Sequence, residues 1–301
     1  MLPLVLTQLL LISGRTDLWL VLGLTLSTAL ANVFYWVPLN FLMSASVAGG
    51  KAGTTVGIIR ASSVVGKIVA PILSGLLVAG HGIEVSVILA LIAYTCSLVP
   101  LIALRVPRLA QEHSPQPEPV PSADPPLSTF LGAYAVAGVW DTAEVFWALH
   151  VYILSATVVD AGVAAGLLQL GVVLANLVTG RLTDQRRWRS AALAALALYC
   201  LFWALRPFAL APWAIFALSI AAGFVRPGFE IPVFSGYLTT ARRTPDIDRW
   251  LVLREVAIKS GGLFLVGGVA LLGAPGMTPF VAAAAGGLLF IFPLNRLAEQ
   301  K

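Results

Sequence analysis

Runs of about twenty apolar residues recur along almost the whole of this 301-residue chain. Each is long enough to cross the roughly 30 Å hydrocarbon core of a bilayer as an α-helix. Lipid offers the backbone no hydrogen bonds, so a spanning run must satisfy its own amides, and a helix does so within one segment. Only 11% of the residues are charged, against roughly a quarter in a soluble chain. Mean hydropathy is +0.90. The chain therefore reads as an all-α integral membrane protein whose first partner is the lipid bilayer. Its net charge of +5 is to be read by position along the chain, not as affinity for nucleic acid. Cys96 and Cys200 both sit in apolar segments without metal-site spacing, and His81, His113 and His150 are scattered. No phosphate-binding loop, metal-binding histidine pair or nucleophile with a matching histidine is present, so neither an enzyme nor a cofactor is expected.

Spanning segments are expected near 17–43, 53–79, 83–105, 129–154, 158–180, 190–208, 211–239, 249–273 and 277–297. Residues 1–13 are apolar, but as a helix they reach only about 20 Å, so they read as the end of a further span. That makes about nine full transmembrane helices and a partial one. One set of loops carries Lys51, Arg105, Arg108, Arg181, Arg186, Arg187, Arg189, Arg242, Arg243, Arg249, Arg296 and Lys301, whereas the other carries Arg15 and Arg206. This asymmetry places the first set, and the C-terminus, on the cytoplasmic side.

Seven prolines lie between Pro107 and Pro126, among Glu, Gln, Ser and Asp. Such a segment has little apolar surface to bury and reads as a flexible cytoplasmic linker, 106–128. Shifting the chain by 194 residues lays Pro38 on Pro232, Arg60 on Arg254 and Leu24 on Leu218. Both copies keep their basic loop on the same side, as parallel repeats do. Two pseudosymmetric repeats are therefore expected, 1–105 as an incomplete first half and 129–301 as a complete second half.

The loop Gly180-Arg181-Leu182-Thr183-Asp184-Gln185-Arg186-Arg187 combines glycine, aspartate and paired basic residues between two apolar spans. It resembles the cytoplasmic loop motif of the major facilitator superfamily, with Gln185 where a basic residue is common. Phe34-Tyr35-Trp36-Val37-Pro38 and Arg254-Glu255 resemble poorly characterised branches of that superfamily. The resemblance extends over essentially the whole chain and implies a helical bundle of two six-helix halves. On that template the chain begins within the third helix, 17–43 is the fourth, 129–154 the seventh and 277–297 the twelfth. The motif implies a conformational latch formed by Gly180, Arg181, Asp184, Arg186 and Arg187. By pseudosymmetry Arg60 is the expected contact of Asp184, with Arg254 at the equivalent repeat position.

Of the charged residues within the spans, four form two helically spaced pairs. Asp141 and Glu144 are spaced i, i+3, and Arg226 and Glu230 i, i+4, so each pair shares a helix face. Acids at membrane depth are costly and face a cavity or a partner. They are the candidates for transport and proton coupling: Arg226 either binds an anionic group or holds Asp141 or Glu144 in one state of the cycle, with mutual neutralisation of Arg226 and Glu230 as the structural alternative. Asn32, Tyr35, Trp36, Asn40, Trp140, Trp147 and His150 are cavity candidates. Lys67 and Lys259 pair with cavity acids or extend toward water. Gly66, Pro71 and Gly75 fit close helix contacts.

The resemblance implies secondary active transport of a small solute by alternating access, in the plasma (inner) membrane and as a monomer; the acids at membrane depth, Asp141, Glu144 or Glu230, are the candidates for coupling it to protons. Two alternatives stand beside it. One is a ten-helix drug/metabolite-type carrier, whose inverted repeat would reverse loop polarity between halves. The other is a non-transporting scaffold or inactive remnant.

Overall fold

The computed structural model describes residues 40, 52–103, 127–183, 188–242, 244, 247–272 and 277–298. Among these residues there are nine α-helices and no strand: α1 (Ala52–His81), α2 (Ile83–Ala103), α3 (Leu127–Ser155), α4 (Val158–Thr183), α5 (Trp188–Leu205), α6 (Pro212–Val225), α7 (Pro227–Arg242), α8 (Ile247–Leu272) and α9 (Thr278–Ala298). A 3-10 turn, Arg206–Phe208, closes α5. The expected span at 17–43 lies outside the described residues except for Asn40, as does most of the linker.

Six segments of the described chain are long and apolar enough to cross a membrane: Gly53–His81, Val158–Thr183, Trp188–Phe208, Pro212–Ala241, Ile247–Leu272 and Thr278–Arg296. The expected helix over 211–239 is divided at Arg226 into α6 and α7. Pro227 is the cause, because it has no N–H to donate to the preceding turn. The junction itself stays helical. The Arg226 N–H donates to the Ala222 carbonyl at 3.1 Å, and the Arg226 carbonyl accepts from the Glu230 N–H at 3.3 Å. The two helices therefore run on as one span, bent around an arginine.

Exposure is inverted relative to a soluble protein. Leu271 is 89% and Phe264 80% exposed, and similar side chains line the outer faces of α1, α4, α5 and α9. Such a surface is stable only against hydrocarbon. Burying these side chains offers no gain between lipid-solvated helices, so close van der Waals contact has to hold the helices together.

Small residues supply that contact. The most extensive pairing is α1 on α4. A Cβ on Gly180 would lie 2.8 Å from the Gly53 carbonyl oxygen and 3.2 Å from Gly57 Cα. Only glycine admits so close an approach of two backbones. The same device joins α3 to α8, the next most extensive pair, where Gly138 and Gly261 each face a carbonyl of the opposite helix.

Aromatic packing fixes the other helices. Trp140 on α3 is fully buried, and its ring stands 5.1 Å from Tyr199 on α5, 5.2 Å from Phe229 on α7 and 4.8 Å from Phe290 on α9. Its indole N–H donates to the Ala283 carbonyl at 2.7 Å. Contacts of this kind contribute roughly 0.5–1.5 kcal/mol each beyond area burial, so Trp140 pins four helices around one point.

Candidate functional site

The junction between α6 and α7 turns Arg226 toward α3, where Asp141 and Glu144 lie side by side. The guanidinium meets three carboxylates at once. Nε donates to Glu230 Oε1 at 2.6 Å, Nη1 to Glu144 Oε1 at 2.7 Å and Nη2 to Asp141 Oδ1 at 2.6 Å. The two acid–base pairs that helical spacing defines separately are thus one cluster. Charge-assisted bonds of this length are the strong ones. The Arg226 side chain is 13% exposed and Glu144 19%, whereas Asp141 is 54% exposed. Asp141 is therefore the member of the cluster with open access.

The cluster continues through the second Glu230 oxygen. Arg60 on α1 donates to Glu230 Oε2 at 3.2 Å and lies over the Phe234 ring at 4.5 Å. Arg254 on α8 lies over the same ring at 4.8 Å, bonds Glu255 beside it and packs on Tyr134 at 4.7 Å. Asn40 is buried and donates to Glu255 Oε1 at 3.3 Å. Arg60 and Arg254, equivalent positions of the expected repeat, therefore converge on one aromatic ring. Each cation held against a ring gains about 0.5–2 kcal/mol. A buried charge of this kind needs such compensation for its lost hydration.

Lys67, seven residues after Arg60 on α1, lies in the field of Asp141 and Glu144. Four acids (Asp141, Glu144, Glu230, Glu255) and three arginines (Arg60, Arg226, Arg254) bond within the network, so protonating any one acid shifts its charge one unit toward positive.

Other expected site residues fall elsewhere. Trp140 is a cavity candidate by sequence, yet it lies in the packed core with its N–H satisfied by a backbone carbonyl. Trp147 is also buried and donates to Ser219 Oγ at 3.0 Å. His150 stacks on Trp147 with ring centres 5.8 Å apart. The reason is common to all three: their face of α3 is covered by α6 or α9. Asn40 is buried against Glu255 and has no open surface. Lys259 is exposed on α8. Gly180 is packed on α1, and Arg181 is exposed at the end of α4. Asp184, Arg186 and Arg187 lie outside the described residues, as do Asn32, Tyr35 and Trp36. The latch contact of Asp184 with Arg60 thus falls outside them too, and the acid bonded to Arg60 within them is Glu230.

Sequence reading missed one residue altogether. Arg206 counts there as an outer-loop cation, but its side chain is fully buried between Trp203 and Trp147. Trp203, three residues earlier and so on the same helix face, was the available signal. Glu255 was missed as a network member, because its partner Arg254 is adjacent in sequence and reads as a motif. Apart from these charges, a groove of about 240 Å³ runs between α4, α5 and the α6–α7 segment, lined by Leu182, Trp188, Leu198, Phe224 and Pro232. It holds no charged side chain.

A membrane-embedded bundle with small-residue helix contacts and a polar network between its helices is the architecture of a solute carrier. The family model for the Major Facilitator Superfamily matches residues 1–244, and the chain belongs to that superfamily. Membership makes it an integral membrane protein of secondary transmembrane transport and not an enzyme, with a solute and the bilayer as its partners. It also decides against the ten-helix drug/metabolite-type carrier. Comparison with curated proteins gives no match.

Proposed function

We propose that the chain moves a small solute by alternating access, with proton exchange at the acids around Arg226 as the coupling step. The observation that carries this reading is the three-carboxylate grip on one guanidinium, joined to Arg60 through Glu230. In the proposed division into halves 1–105 and 129–301, Arg60 belongs to the first and Glu230 to the second. A bridge of this type has to open when the halves rock past each other. Protonation of Asp141, the exposed acid, removes one of the three attractions on Arg226. Arg226 then leans on Glu144 and Glu230, which weakens the hold of Glu230 on Arg60 and favours separation. Arg226, saturated in this state, becomes available to an anionic solute group only after an acid lets go. We place the protein in the plasma (inner) membrane with its C-terminus inside, acting as a monomer.

The test is solute-driven proton movement in proteoliposomes across a broad solute panel, with Asp141→Asn beside the wild-type chain. The expected result is a flux that Asp141→Asn abolishes or uncouples. An equal proton flux in Asp141→Asn sinks the coupling role. Absence of flux from the wild type across the panel favours the non-transporting alternative.

A further inference from the structure

Arg206 poses a problem that the Arg226 cluster does not solve. It is fully buried, and its Cζ lies 3.8 Å from the Trp203 ring centre and 5.0 Å from that of Trp147. His150 and Phe280 complete the enclosure, with ring centres 5.5 Å apart. Ring faces attract the charge, but they leave the N–H groups without strong acceptors. Nε, Nη1 and Nη2 all lack a hydrogen-bond partner, and so do Trp203 Nε1, Tyr199 Oη and His150 Nε2 nearby. Leaving even one buried polar group unmatched is costly, and more so a charged one. The C-terminal end of α5 lends only a partial negative charge. Glu144 is the acid whose field reaches Arg206, but it is engaged by Arg226 at 2.7 Å.

The deficit in this cage is chiefly one of acceptors for a charge: the three guanidinium nitrogens and the Trp203 indole N–H donate to nothing, and Tyr199 Oη and His150 Nε2, which can accept, bond none of them. We infer that Arg206 forms a buried binding site for a small monoanion, either a halide or a carboxylate group, walled by Trp147 and Trp203. Water would supply an acceptor but not the charge, whereas an anion supplies both. The close ring spacing favours a small ion over a phosphate ester. Its walls on α3, Trp147 and His150, lie on a different face from Asp141, and the inference does not rest on the coupling role proposed for that residue.

The experiment uses the full chain in lipid nanodiscs. Sodium gluconate is exchanged for sodium chloride or sodium formate at constant ionic strength while the unfolding midpoint is followed. A ligand that binds the folded state raises the midpoint in proportion to its occupancy. The expected result is a saturable rise with at least one of the two anions, lost in Arg206→Gln and weakened in Arg206→Lys. Equilibrium binding of radiolabelled chloride and formate to the wild-type chain gives a readout that holds even if a variant fails to fold, with one saturable site per chain expected. Chloride binding alone marks an inorganic-ion site, and formate binding marks a carboxylate site. No saturable binding of either anion to the wild type overturns the inference. So does an undiminished response in a folded Arg206→Gln.

Discussion

At the scale of single residues, Arg226 makes the strongest demand on its surroundings. Its removal leaves Asp141, Glu144 and Glu230 to repel one another in a poorly hydrated site. Breaking a buried ion pair on one side costs about 3–5 kcal/mol. Arg226→Gln is therefore expected to lower the unfolding midpoint of the purified protein sharply. Adding Asp141→Asn and Glu144→Gln to the same chain should recover part of the loss. A triple variant no more stable than Arg226→Gln would count against a shared charge cluster. The acids and Arg226 were legible in the sequence because i, i+3 and i, i+4 spacing is a property of one helix. Their meeting was legible only as one option for Arg226, because it depends on how α3 lies against α7. Arg206 was illegible for a different reason. A basic residue after an apolar run has the same local signature whether it anchors a loop or turns inward onto Trp203.

Among the helices, α1 and α4 are joined by their smallest residues, so bulk at that seam is the sensitive change. Gly180→Leu would drive a side chain into the Gly53 carbonyl and the Gly57 backbone. Overpacking of this sort costs typically 1–3 kcal/mol, and here the strain can be relieved by parting the helices. Disulfide trapping between cysteines at Thr54 and Thr179 is expected to slow in Gly180→Leu, while Gly132→Leu, on an open face of α3, leaves it unchanged. Equal trapping rates would show that the seam tolerates bulk. Among the described residues the approximate limits of most helices were readable from apolar length, and the role of Gly180 in close approach from the loop motif. The division at Arg226 was also signalled, by Pro227, but the apolar stretches on both sides of it read together as one span over 211–239.

Over the whole molecule, one connected set of charges runs from Asp141 through Arg226, Glu230 and Arg60 to the Phe234 ring, and on through Arg254 and Glu255 to Asn40. It joins α3, α7, α1 and α8. Arg60→Gln should therefore change more than its own surroundings. Spin labels at Gly80 on α1 and Ile153 on α3, both exposed, are expected to report a broader distance distribution in that variant. Glu230→Gln should give a similar distribution, and the double variant little more than either alone, the signature of coupled sites. Additive broadening would mean that the two residues act independently. This network was not legible as one in the sequence, since seven of its eight members read as parts of separate pairs, motifs or cavity positions and Phe234 was not singled out.

The glycine seams between α1 and α4 and between α3 and α8 also set how this chain records genetic change. Its lipid-facing leucines and phenylalanines are interchangeable in kind, and substitutions among them should accumulate freely. The seam glycines, where an added Cβ would meet the backbone of the opposite helix, are the positions where variation is forbidden. A saturation scan would draw the fold in negative, with its quietest columns on the lipid-facing leucines and phenylalanines and its sharpest ones at Gly57, Gly138, Gly180 and Gly261.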